Sequence, residues 1–191
     1  MPHPTFMSPA DTGLLVIDVQ EKLMALIPQA DRVIRNIAFL IDVARVFGMT
    51  VQATEQYPKG LGPTVPELAQ RLPERPDKVA FSCCAIPAVV DTFHREARPK
   101  VLLTGIEAHV CVQQTALDLL AEGFRVYVAA DAVASRTPTD CEYALRRLEQ
   151  AGAVLTTTEA AAFEWTARAG TPEFKTVSRL VQERMKALGD Q

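Results

Sequence analysis

The chain has 191 residues, 48% of them apolar and 23% charged, with a formal net charge of −3. That balance fits a folded domain able to bury its own core and excludes a disordered chain. It gives no electrostatic reason to expect nucleic acid or an anionic membrane as partner, and no apolar run approaches the length of a bilayer span.

In chain order, Gly13–Val19 (GLLVIDV) reads as a strand buried on both faces. Ala30–Phe47 predicts a helix, with Val33, Ile34, Ile37, Ala38, Ile41, Ala44 and Val46 near helical spacing. Gly48 ends it, and Thr50–Thr54 begins a second strand. From Glu55 to Phe81 the regularity stops. Pro58, Pro63, Pro66, Pro73 and Pro76, with Gly60 and Gly62, predict a structured loop carrying a short helix near Pro66–Leu72. A loop this long in a compact domain is often functional.

A helix over Pro87–Ala97 and a strand over Lys100–Thr104 follow. Two further helix–strand units are punctuated by glycine: Val112–Glu122, Gly123, Arg125–Ala130, then Asp140–Ala151, Gly152, Ala153–Thr157. Glycine takes the left-handed conformation needed just past a helix end, so these stops carry a mechanism. Glu173–Leu188 predicts a last helix, covering the sheet or a neighbouring subunit. The alternation predicts parallel strands joined by right-handed crossovers, with helices on both faces. It fits a single domain over 1–191, with a core at about 12–168 and a C-terminal helix at about 172–189.

In an open parallel sheet, ligands bind beyond the carboxyl ends of the strands. That rule selects Asp18, Glu55, Gln56, the stretch Gly105–Cys111 and Asp131, which follows the strand ending at Ala130. Cys111 falls at the start of a helix, where free N–H groups and a partial positive charge favour a thiolate and can hold an oxyanion. Asp18 is the candidate proton acceptor. A balancing cation is expected from the loop, and spacing alone does not choose Lys78 over Lys59. Each residue also has an ordinary explanation: a buried small cysteine, an aspartate that forms a turn.

Cys83, Cys84, Cys111 and Cys141 show no C-x-x-C spacing, and His3, His94 and His109 form no ligand pattern, so neither metal nor cofactor is expected. The first residues, MPHPTFMSPAD, lack a basic and apolar leader, which points to a cytoplasmic protein.

Three blocks occur in order: LLVIDVQ (Leu14–Gln20), DKVAFS (Asp77–Ser82) and TGIEAHVCVQQTALDLLAEGFRVYVAADAVAS (Thr104–Ser135). Together they resemble the isochorismatase-like cysteine hydrolases, a superfamily that includes nicotinamidases, N-carbamoyl amidohydrolases and isochorismatases. The similarity spans roughly Leu14–Phe163, and TEQYPKGLGPTVPEL (Thr54–Leu68) resembles the isochorismatase domain-containing proteins.

The resemblance implies a Rossmann-like three-layer α/β/α sandwich with a central, mostly parallel sheet. It implies Asp18 as general base, Lys78 as its charge partner and Cys111 as nucleophile. It also implies a non-proline cis peptide at Ile106–Glu107, turning the Glu107 N–H toward the Cys111 N–H as an oxyanion hole. Gln20, Gln56, Tyr57, Phe81 and His109 lie in or beside the motif blocks and are expected to line the substrate pocket. Cys83 and Cys84, just past the lysine segment, read as packing residues.

Where nicotinamidases carry a metal-binding Asp-x-His, this chain has Glu55-Gln56-Tyr57, so metal-dependent chemistry is not expected. The implied activity is hydrolysis of a C–N bond in a small amide or carbamoyl compound, through a thioester, by a homo-oligomer. The alternatives are enol-ether hydrolysis of the isochorismatase type, a non-catalytic scaffold, and a thiol redox centre joining Cys111 with Cys83 or Cys84.

Overall fold

In the computed structural model, which describes residues 3–189, every position of strand β1 (Thr12–Ile17) is buried. The outermost residues of the expected 1–191 domain, 1–2 and 190–191, lie outside the described residues. Burial on both faces is why β1 is apolar without alternation. Leu14 and Val16 enter one core, and Leu15 and Ile17 enter the other.

A one-turn helix, α1 (Glu21–Met24), leads to α2 (Ala30–Val46), which buries Val33, Ile37, Leu40, Ile41 and Ala44. Gly48, at φ +61°, ends it as the sequence predicts. Strand β2 (Val51–Gln56) follows, and the proline-rich segment then holds α3 (Pro58–Leu61), α4 (Pro66–Ala69) and the two-residue strand β3 (Asp77–Lys78). A 3-10 turn at Cys83–Ala85 and helix α5 (Pro87–Arg95) lead to β4 (Lys100–Ile106). After β4 come a π-helical turn (Ala108–Val112), α6 (Gln113–Ala121) and β5 (Arg125–Ala134). The chain ends with α7 (Pro138–Gln150), β6 (Val154–Thr156), α8 (Thr158–Thr166) and α9 (Pro172–Gly189).

The six strands are parallel in the order β3-β2-β1-β4-β5-β6. From β1 the chain runs outward to β2 and β3, returns to β4 on the other side of β1, and continues to β5 and β6. Right-handed crossovers taken in opposite directions put their helices on opposite faces. Accordingly α2, α8 and α9 contribute Ile37, Trp165 and Val177 to one core. On the other face α5, α6 and α7 contribute Phe93, Leu119 and Leu148.

Two expectations are refined. The last helix packs mainly on α2 and α8, and Arg184 ties it to Asn36 at 2.9 Å and Glu159 at 3.1 Å. Strand β5 does not stop at Ala130. Leu103 faces Val128 but Gly105 faces Val133, so β5 bulges between these pairs and then resumes its ladder. Gly105 has φ +108°, and a β-carbon there would fall on the Ile17 carbonyl and 2.6 Å from Ile17 N. Only glycine lets β4 run this close to β1.

Candidate active site

The strand order reverses direction between β1 and β4, and the candidate residues gather at the carboxyl ends on either side of that point. Asp18, one residue past β1, sits in a left-handed turn at φ +53°, with its N–H on Thr54 O (3.2 Å) and its carbonyl accepting from Gln20 N (2.8 Å). Lys78 ends β3, in register with Gln56 of β2. Cys111 lies in the turn that follows β4. Asp18 is fully buried, and Lys78 and Cys111 are each 5% exposed.

The Lys78 ammonium donates to Asp18 Oδ2 at 2.6 Å, to Gln56 Oε1 at 2.7 Å and to the Phe81 carbonyl at 2.9 Å. An ammonium has three hydrogens, so all are committed. The other Asp18 oxygen, Oδ1, accepts from the Thr54 hydroxyl at 2.7 Å. This geometry selects Lys78 as the cation where spacing left Lys59 open.

Burial pushes the Cys111 thiol well above its ordinary range, and the Asp18 charge adds to the shift, against an opposing pull from Lys78. These effects favour the thiol over the thiolate. They run against the preference for thiolate that a helix start alone would give. Val112 N–H reaches back to Glu107 O at 3.2 Å in a π turn, and regular helix begins only at Gln113, past the cysteine. Any helix-end stabilisation is outweighed by desolvation and the neighbouring negative charge.

The remaining candidates divide. Gln20 is buried, donating to Gln56 O at 3.0 Å and Gly62 O at 2.7 Å and accepting from Gln56 N at 2.7 Å. Gln56 spends its amide on Val79 O at 2.8 Å and its carbonyl on Lys78. Both are struts that hold the lysine segment against the strand ends, each through its side-chain oxygen and nitrogen. Tyr57 and Phe81 are about half exposed beside the site (53% and 50%), and Val79, which the sequence did not single out, is 80% exposed between them.

His109 shares a 2.9 Å hydrogen bond with Ser135 Oγ and lines a separate groove of about 530 Å³ between α6 and α7, with Tyr143 and Arg147. The structure does not bring it to Asp18 and Lys78. The Ile106–Glu107 peptide is cis, and the Glu107 carboxylate accepts from Arg136 Nε at 2.9 Å.

Glu55 is not open to a cation. Burial alone would raise its carboxyl, but hydrogen bonds from Thr64 N (2.8 Å) and Oγ1 (2.7 Å) and the Arg75 guanidinium (3.1 Å) outweigh burial and hold it low. Asp131 lies within β5, where it accepts from Thr158 N (2.8 Å) and Thr158 Oγ1 (2.7 Å), with Arg184 at 3.4 Å. It is a structural tie between β5, α8 and α9.

Sequence reasoning missed Thr54. Its signal is the parallel register: Thr54 stands opposite Ile17, the last residue of β1, and so beside Asp18.

The isochorismatase domain family model matches residues 12–160. The chain is 40% identical over 178 residues to isochorismatase domain-containing protein 2 of Bos taurus, covering 92% of this chain and 85% of that protein. It is 39% identical over 184 residues to the secreted isochorismatase effector Isc1 of Phytophthora sojae (strain P6497), covering 93% and 88%. Among solved structures it superimposes on the MAR1 ribonuclease of Caenorhabditis elegans with a TM-score of 0.86 and 45% identity, covering 92% of each chain.

Proposed function

The chain belongs to the isochorismatase family, and from that premise we propose that it is a metal-independent cysteine hydrolase acting on the C–N bond of a small amide or carbamoyl compound. The observation that carries this reading is the buried Asp18–Lys78 pair, 2.6 Å apart, with the buried Cys111 thiol near enough to feel the charge of the same carboxylate.

The thiol proton passes to Asp18 as the sulfur adds to the substrate carbonyl. Lys78 holds the carboxylate throughout and supplies the positive charge. The carbonyl oxygen, now an oxyanion, takes the backbone N–H groups of Glu107 and Cys111; one such donor is worth on the order of 2.7–4 kcal/mol of barrier. The C–N bond breaks as Asp18 returns the proton to nitrogen, releasing ammonia or an amine and leaving a thioester on Cys111. Water then attacks the thioester, giving one proton to Asp18 and regenerating the thiol.

Surroundings that favour the thiol fit this order of events. The sulfur is activated only when a carbonyl is present to receive it, and the proton has one acceptor at hand. Tyr57 and Phe81, flanking the lysine segment, contact the acyl portion, while Gln20 and Gln56 hold the frame.

The same reading expects a single domain with a small-molecule substrate, a homo-oligomeric state readable by light scattering, and a cytoplasmic setting. No helix among the described residues is long and apolar enough to cross a membrane.

The test is ammonia release from a panel of small primary amides and carbamoyl compounds, comparing wild type with Cys111→Ala. Turnover lost in the variant supports the reading; a folded wild type inert to the whole panel counts against it. A single-stranded RNA oligomer belongs in the panel, because the nematode neighbour carries the name ribonuclease.

A further inference from the structure

The Asp18 carboxylate is gripped from two sides, and the second grip has no part in the scheme above. An aspartate's terminal torsion is broad, so an ion pair at one oxygen leaves the plane of the carboxylate loosely defined. A donor on the other oxygen fixes it. Thr54 is that donor: its hydroxyl lies 2.7 Å from Asp18 Oδ1, and its main-chain carbonyl accepts the Asp18 N–H at 3.2 Å.

A hydroxyl has one hydrogen, and an ionised carboxylate can only accept. The Thr54 hydrogen is therefore spent on Asp18. The further contact of Thr54 Oγ1, with Cys83 Sγ at 3.4 Å, must then run the other way, with the thiol donating. Burial, followed by the Asp18 charge, raises the Cys83 thiol to about 11, so it keeps its hydrogen at neutral pH. Its main-chain N–H donates to Thr115 Oγ1 of α6 at 2.9 Å, which sets where the sulfur stands. Thr54 is 1% exposed, and Cys83 and Thr115 are fully buried. The chain of donors thus runs from Cys83 to Thr54 to Asp18, behind the carboxylate and away from any solvent.

We propose that Thr54 is a positioning residue: its hydroxyl, backed by the Cys83 thiol, fixes the rotation of the Asp18 carboxylate so that one oxygen meets Lys78 while the group faces the Cys111 thiol. This rests on the acyl-transfer reading above. It gives Cys83 a part in the site beyond packing, without any change in oxidation state.

The experiment uses p-nitrophenyl acetate as a general acyl donor. Cys111 sulfur bonds to the acetyl carbon as its proton passes to Asp18, the ester C–O bond breaks, and p-nitrophenolate leaves and is counted. Thr54→Val keeps the branched shape and removes the hydroxyl; Thr54→Ser keeps the hydroxyl and removes the methyl. The acylation rate constant is expected to fall about tenfold or more in Thr54→Val, the size of one hydrogen bond to a charged group, with half-saturation little changed. Thr54→Ser should stay within about threefold of wild type, as a role in packing alone would not allow. Crystal structures of both variants are expected to show the Asp18 carboxylate rotated in Thr54→Val and in place in Thr54→Ser.

An unmoved carboxylate in Thr54→Val, or acylation of that variant at the wild-type rate, overturns the proposal. If wild type shows no Cys111-dependent burst, the acyl-transfer reading falls, and the two variant structures still decide whether Thr54 positions Asp18. Should Thr54→Val not fold, Cys83→Ala serves in its place, with a smaller fall expected in the same direction and no change overturning the proposal.

Discussion

Replacing Lys78 by methionine removes the cation paired with Asp18 and keeps most of the side chain's volume. Coulomb's law at the observed 2.6 Å, with an effective dielectric constant of about 20, gives roughly 6 kcal/mol of attraction. Desolvating two ions costs several kcal/mol each, so the pair as a whole is close to neutral for stability. Removing one partner is different. The Asp18 carboxylate stays buried with its desolvation uncompensated, and Gln56 Oε1 and the Phe81 carbonyl each lose a donor. The expected loss is about 3–5 kcal/mol, a large part of a typical domain's stability. Converting Asp18 to asparagine in the same chain removes the stranded charge, so Asp18→Asn/Lys78→Met should recover at least about 2 kcal/mol of it. Urea unfolding of the three proteins, with the denaturant slope as a check that the unfolded states match, reads this directly. A Lys78→Met protein within about 1 kcal/mol of wild type, or a double variant no more stable than the single one, would refute the reasoning.

Two further expectations concern the frame around the site. The Cys83 thiol is raised from 9.0 to about 11 in the folded chain, so between those values the unfolded chain has released a proton that the folded one holds. The stability it contributes is complete below pH 9 and declines as pH rises, by up to about 1.4 kcal/mol per pH unit. Urea unfolding from pH 8 to 11 should give Cys83→Ala a shallower alkaline decline than wild type, and parallel curves would count against this. Gly105→Ala would drive a β-carbon into the Ile17 backbone at a φ of +108°, and should cost more than about 3 kcal/mol or abolish soluble expression. A melting temperature near that of wild type would show that β1 and β4 can separate cheaply.

What the sequence disclosed follows physical contrast. The helices α2, α6 and α7 were legible because each carries an apolar stripe and stops at a glycine, Gly48, Gly123 or Gly152, all at positive φ. Helix α8 was not, because its buried face is built from Thr158, Ala161, Ala162 and Trp165, a set with little polar alternation to read. Strand β3 is two residues long and leaves no periodicity at all. The tail of β5 was missed because its bulge puts Asp131 inside the strand, where a charged residue ordinarily marks an end.

In the site, Asp18, Lys78 and Cys111 come from three separate elements; the strand-end rule already singled out Asp18 and Cys111, while the choice of Lys78 over Lys59 needed the resemblance of whole motif blocks. Helix-end electrostatics around the cysteine can be read from sequence, whereas its burial and the approaching carboxylate are tertiary facts. Gln20 and Gln56 sit in the expected place, but what their amides bond to was beyond any linear pattern.

The three committed hydrogens of Lys78 also set terms for inhibitor chemistry. A compound bearing a carboxylate or phosphate aimed at this ammonium would have to displace Asp18 Oδ2, Gln56 Oε1 or the Phe81 carbonyl to form its bond. It would also bring a second anion beside a buried aspartate, where like charges repel most strongly. Uncharged electrophiles with a carbonyl or nitrile near Cys111 meet neither obstacle, so the site should favour neutral warheads over acidic ones.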